Sequence, residues 1–233
     1  MQETRVHFKG ELAKLESQAL GGLDMVVDAL NRVMEALEHQ DVELATMVIA
    51  DDDRIDGRYL EVHQGILSLL ARQAPVATDL RLVAALLDVV KHMERMGDQC
   101  VNIAKMLPVA GNEPPVQEAI LKRLLKMGRQ AAFQVGQAKQ AFASRDVALA
   151  EDLVNQDDVI DRLNREIFRE VLECSADEDT REWSLLMMLV ARSIERIGDN
   201  AVDIGEQTAF VVTGLFREFQ DASHPDAAPG IPG

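Results

Sequence analysis

Residues 89–105 read VVKHMERMGDQCVNIAK, and residues 190–206 read VARSIERIGDNAVDIGE. At an offset of 101 the two stretches share 7 of 17 residues, including both copies of an ERxGD core. Each has a second partner upstream. DVELATMVIADDDRIDG at 41–57 and DVALAEDLVNQDDVIDR at 146–162 agree at 8 of 17 positions, at an offset of 105. Two matches in the same order mean that the chain repeats itself. The change of offset falls between the second and third helix predicted for each half, where a turn absorbs a length difference.

Outward from these stretches the hydrophobic residues keep helical spacing. Leu12, Leu15, Ala19, Leu23, Val26, Leu30, Val33 and Leu37 recur every three or four positions, which predicts a helix over about 8–39. Val42, Ala45, Val48, Ile55, Val62, Ile66 and Leu69 predict a second, running to the Ala-Pro-Val at 74–76. A third starts at Pro75 and is expected to stop at Pro108, with Gly111, Pro114 and Pro115 behind it. Three more are expected over about 116–143, 147–173 and 179–219. The fold expected is all-α: two tandem, pseudo-twofold-related three-helix bundles, residues 1–110 and 111–222, followed by a disordered tail at 223–233 rich in Pro and Gly.

The composition narrows the function. In 233 residues, 24 Lys and Arg face 40 Asp and Glu, for a net charge of −16, and 47% of residues are hydrophobic. That hydrophobic content excludes general disorder. The charge opposes nucleic-acid phosphates and anionic lipid headgroups, so no nucleic acid is expected as partner. The opening MQETRVHFKGELAKLE lacks the apolar stretch of a signal peptide, and no run reaches the length of a membrane span. With Cys100 and Cys174 as its two cysteines, far apart, the chain carries neither a disulfide framework nor a thiolate zinc site. A cytoplasmic protein that meets membranes only through partners is expected.

Four acidic pairs stand at a spacing of four, about one helical turn: Asp52 with Asp56, Glu94 with Asp98, Asp157 with Asp161, and Glu195 with Asp199. Chance places about 7 such pairs in a chain this acidic, so one pair alone means a solvated face. Here both pairs of the first half recur at equivalent places in the second, within stretches that otherwise match at fewer than half of their positions. Like charges one turn apart cost a helix roughly 0.2–0.5 kcal/mol per pair, which calls for a compensating cation or an Arg partner. Two readings therefore stay open at this point. Oxygen-only ligation suits Mg, Mn, Ca or Fe; ion pairing to Arg54, Arg81, Arg95 or Arg196 is the structural alternative. Asn102 and Asp203, one turn further on, are second-rank candidate ligands. His63 is read as a packing or surface side chain, because its counterpart is Phe168.

Gly97 and Gly198 sit within helices beside the acids, where glycine costs about 0.5–1 kcal/mol relative to alanine; close helix approach is the expected return. Trp183 and the methionines Met93, Met96, Met187 and Met188 are read as core. No catalytic residue is indicated. The chain has no GxSxG, no HExxH and no glycine-rich phosphate loop. The histidines at 7, 39, 63, 92 and 224 each lack the Glu three residues before that a di-iron bundle uses.

The stretch QAPVATDLRLVAALLDVVKHMERMGDQCVNIAK, followed by LLMMLVARSIERIGDNAVDIGE, resembles the PhoU family over about residues 8–218. The resemblance implies two tandem three-helix bundles, commonly homodimeric. It implies that the D/ExxxD pairs, here Asp52 and Asp56, Glu94 and Asp98, Asp157 and Asp161, and Glu195 and Asp199, bind metal clusters in some members, with Fe, Mn, Mg or Zn as the ions to consider. It implies negative regulation of the phosphate-starvation response and modulation of phosphate uptake, through an adaptor linking the ATPase of a high-affinity phosphate ABC transporter to a sensor histidine kinase. The alternatives carried with it are a metal-dependent enzyme and a metal-storage bundle.

Overall fold

The computed structural model describes residues 2–73, 75–111, 114–173 and 177–219. Among them there is no strand. The expected tail at 223–233 and Cys174 lie outside the described residues.

The described residues form six helical rods, two of them interrupted. The first half consists of α1 (Gln2–His39), α2 (Val42–Asp51) with α3 (Asp53–Arg72), and α4 (Ala77–Ala110). The second repeats the order with α5 (Glu118–Ser144), α6 (Val147–Glu151) with α7 (Leu153–Glu173), and α8 (Glu178–Thr213). The repeated DVxLA sequences explain how each second rod starts. Asp41 accepts a hydrogen bond from the Leu44 N–H at 2.9 Å, and Asp146 accepts one from Leu149 at 3.0 Å, so both are N-caps. The residue before each cap, Gln40 or Arg145, takes a left-handed conformation (φ 55° and 59°) that turns the chain back.

Three boundaries differ from expectation. Pro108 lies inside α4, which runs on to Ala110 and stops at Gly111 (φ 92°). A proline in the last turn removes only one helical bond, so the helix passes it. The last helix ends at Thr213 rather than near 219, because Gly214 adopts a left-handed cap (φ 77°) and its N–H bonds the Phe210 carbonyl. The second and fifth rods are broken at Asp52 and Asp152 without Gly or Pro. Asp152 accepts from the side chains of Gln137, Asn155 and Gln156.

The halves pack face to face. α1 and α5 run antiparallel, tied by Asp24–Lys139 and Glu16–Arg145, each at 2.6 Å. α4 and α8 also cross antiparallel, with His92 of one against Asn200 and Asp203 of the other. One apolar cluster runs through both halves, from Leu23, Leu30 and Leu86 to Leu124, Ile160 and Ile197, all fully buried. Trp183 is buried in it, as are Met93, Met96 and Met187. His63 is half-buried against Tyr59. No helix among the described residues is long and apolar enough to cross a membrane.

Candidate metal centre

In the first half, α2, α3 and α4 bring Asp52, Asp56, Glu94 and Asp98 into one electrostatic neighbourhood. Burial pushes the Asp52 carboxyl up to about 6, and the charges of Asp56, Asp98, Asp53 and Glu94 add to the shift. Glu94 is raised as well, by burial first and then by Asp98 and Asp56, with Arg95 opposing. None of these four carboxylates makes an ion pair among the described residues, so the arginines Arg54, Arg81 and Arg95 do not neutralise them directly.

The second half differs. Asp199 is pushed up to about 6 by burial, then by Glu195 and Asp161, with Arg192 opposing. Glu195 is ion-paired to Arg192, and Asp161 to Arg165 at 3.2 Å. Both pairs are local to one helix, and neither uses Arg196. The first half has Lys91 and Leu60 at the equivalent places. Asp157 is buried and turned inward, where Gln134 donates to its Oδ1 at 3.2 Å. Of the second-rank positions, Asp203 faces His92 Nδ1 at 3.3 Å and has its carboxyl raised by burial, with the His92 charge opposing. Asn102 is half-buried on α4.

The mid-helix glycines do what their position required. A Cβ at Gly97 would stand 3.0 Å from Asp52 Oδ1 and 3.1 Å from Ile55; one at Gly198 would stand 2.6 Å from Asp157 Oδ1. Glycine therefore lets the inner acid of each second rod lie directly against the ERxGD helix.

The donor chemistry fits a hard cation: carboxylate oxygens that repel one another, with Asp52 and Glu94 half-buried and Asp56 and Asp98 open to solvent. Among the described residues, no three His, Cys, Asp or Glu side chains stand close enough together to hold a metal ion as they are placed. Binding an ion there requires side-chain rotation toward a common point.

Sequence reading missed a polar row on α5. Gln130, Gln134 and Gln137 share one face and donate to Gln156, to Leu153 and Asp157, and to Leu149 and Asp152 respectively. The spacing of these glutamines, four then three, is visible in the sequence and marks a polar stripe on an otherwise buried helix face.

Comparison with known proteins extends over nearly the whole chain. The family model described as "PhoU domain" matches twice, at residues 23–107 and 124–208. A protein of Clostridium acetobutylicum called "phosphate-specific transport system accessory protein PhoU homolog" is 32% identical over 220 residues, covering 94% of this chain and all of the relative. A Thermotoga maritima "PhoU homolog 1" is 34% identical, covering 92% and 93%. The crystal structure of PhoU from Pseudomonas aeruginosa superposes with a TM-score of 0.82 at 29% identity, over 89% of this chain and 100% of that one. A Streptococcus pneumoniae PhoU structure shares the fold, with the same TM-score at 24% identity. With two matched copies, end-to-end relatives and the same helical architecture, the chain belongs to the PhoU family.

Proposed function

We propose that this protein is an accessory and regulatory component of a phosphate transport system, and that it represses the phosphate-starvation response when phosphate is plentiful. In this reading it is a homodimeric cytoplasmic adaptor between the ATPase of a phosphate ABC transporter and a sensor histidine kinase. The observation that carries the reading is end-to-end similarity to proteins named as phosphate-transport accessory factors. An adaptor acts by binding two states of its partner unequally, since equal affinity shifts no equilibrium. The test is deletion of the gene at high phosphate, with expression of phosphate-scavenging genes as readout. Derepression is the expected result; unchanged expression in a strain with no second copy overturns the proposal.

The acidic residues enter as a metal centre. Asp52, Asp56, Glu94 and Asp98 would hold an ion such as Mg, Mn, Fe or Zn, and Asp157, Asp161, Glu195 and Asp199 a second, with Asp203 beside it. The free carboxylates of the first half favour loading there first, because Arg165 and Arg192 already compensate acids in the second. A bound cation would relieve repulsion between α3 and α4 and so stiffen the surface offered to a partner. Elemental analysis of protein purified without chelator tests this reading: metal above background, lost on Glu94→Ala with Asp98→Ala, supports it.

A further inference from the structure

The second half shows what is missing from the first. Gln134, fully buried on α5, donates from Nε2 to the Leu153 carbonyl at 3.3 Å and to Asp157 Oδ1 at 3.2 Å. At the offset of 105 that relates the caps Asp41 and Asp146, these three positions become Ala29, Val48 and Asp52. A methyl group stands where the repeat has an amide, and it borders a half-enclosed cavity of about 240 Å³ between α1, α2, α3 and α4.

The lining is amphipathic. Met25, Ala29, Val48, Ile55, Cys100 and Val101 make the apolar part, with Asp52 in the wall and Asp24, Asp28, Asp51, Arg32 and Arg54 also lining it. Most of the charges are already matched: Arg32 pairs with Asp51 at 2.6 Å and lies 4.0 Å from Asp28, and Lys139 holds Asp24. Asp52 accepts no hydrogen bond among the described residues, whereas its counterpart Asp157 takes the Gln134 amide. A nitrogen donor reaching the half-buried Asp52 would make there the contact that Gln134 makes to Asp157. Four acids face Arg32, Arg54 and, on Asp24, Lys139, a balance of −1 that disfavours an anion, inorganic phosphate included. A single water, with a share of liquid volume of about 30 Å³, fills a fraction of the space and gains nothing from the apolar walls. The volume lies just below the usual range of small-molecule sites, about 300–1,000 Å³.

We propose that this cavity binds a small aliphatic amine or guanidine, its N–H donating to Asp52 where Gln134 donates in the second half, and its stem lying on Met25, Val48 and Val101. Asp52 is also among the carboxylates assigned above to a metal ion, so the two occupants compete through that side chain. The site itself does not depend on the regulatory reading.

The test is calorimetric titration of the full chain, stripped of metal with EDTA, with agmatine and with n-butylamine. Saturable binding at one site per chain is expected, unaffected by inorganic phosphate. Ala29→Gln installs the repeat's own side chain and should weaken binding at least tenfold while the helical content is unchanged. Asp52→Asn keeps the volume, removes the charge and should weaken it similarly. Failure of both compounds to saturate at millimolar concentration overturns the proposal. So does wild-type affinity in Asp52→Asn or in a folded Ala29→Gln, since binding would then be diffuse attraction to an acidic surface.

Discussion

The Asp157 carboxylate packs so closely on Gly198 that a Cβ built there would lie 2.6 Å from its Oδ1, 3.0 Å from Ile160 Cδ1 and 3.1 Å from Gln134 Oε1. The pseudo-equivalent contact of Gly97 with Asp52 is looser, at 3.0 Å, and borders on the cavity. Alanine gains about 1 kcal/mol of helix propensity over glycine, and overpacking costs about 1–3 kcal/mol. Gly198→Ala should therefore lower stability by about 1–2 kcal/mol, while Gly97→Ala should stay within about 1 kcal/mol of wild type. Urea unfolding of the two variants side by side checks the order.

Stability should fall as pH rises through the range 5–7 in protein stripped of metal. Asp52, Asp199 and Glu206 are each pushed up to about 6, chiefly by burial, so the folded state holds their protons more tightly than the unfolded chain does. The stabilisation from these protons is complete below the ordinary carboxylate range and is lost as pH rises past about 6. Asp51, Asp152 and Asp177 shift downward, and their contributions change only at lower pH. Thermal melts at pH 5.0 and 7.5 read the slope, and Asp52→Asn should reduce it.

A divalent cation should reverse that loss. At pH 7.5, Mn or Mg added to the stripped protein is expected to raise the melting temperature, and EDTA to lower it again. Each kcal/mol of linked binding energy corresponds to about 2–4 °C for a chain of this size. Glu94→Gln with Asp98→Asn should abolish most of the shift. An equal shift in that variant would mean that the ion binds elsewhere.

The two N-caps predict a matched pair of losses. Asp41→Ala and Asp146→Ala each remove an acceptor from the first turn of a repeated rod, and each should cost about 1 kcal/mol. Replacement by Asn should restore most of it. Chemical denaturation of all four variants provides the comparison.

What was legible in the sequence is what packing and capping constrain. The buried faces of α1, α4 and α8, the Asp41 and Asp146 starts and the close-approach glycines all follow from spacing and residue type. The breaks at Asp52 and Asp152 were not legible, because nothing but aspartate marks them and each depends on partners from other parts of the chain or on a local lapse in helical bonding. Arg165 and Arg192 were visible as neighbours of Asp161 and Glu195 one turn away, but which arginines would pair depended on side-chain packing. Most hidden was the cavity beside Ala29, since its lining comes from four helices and its contrast with Gln134 needs both halves folded.

The unbroken apolar cluster shared by the two halves has an evolutionary consequence. Cut at the connection before α5, each half would bare the faces that α1 and α4 turn toward α5 and α8, and would lack the cover that makes a bundle soluble. A single-copy forerunner with the same face would have needed a second copy of itself against it. The antiparallel meeting of α1 with α5 and of α4 with α8 has the self-complementary form of a C2 homodimer contact. The present chain thus carries, between its own halves, a contact of the form that two separate copies of one half would make.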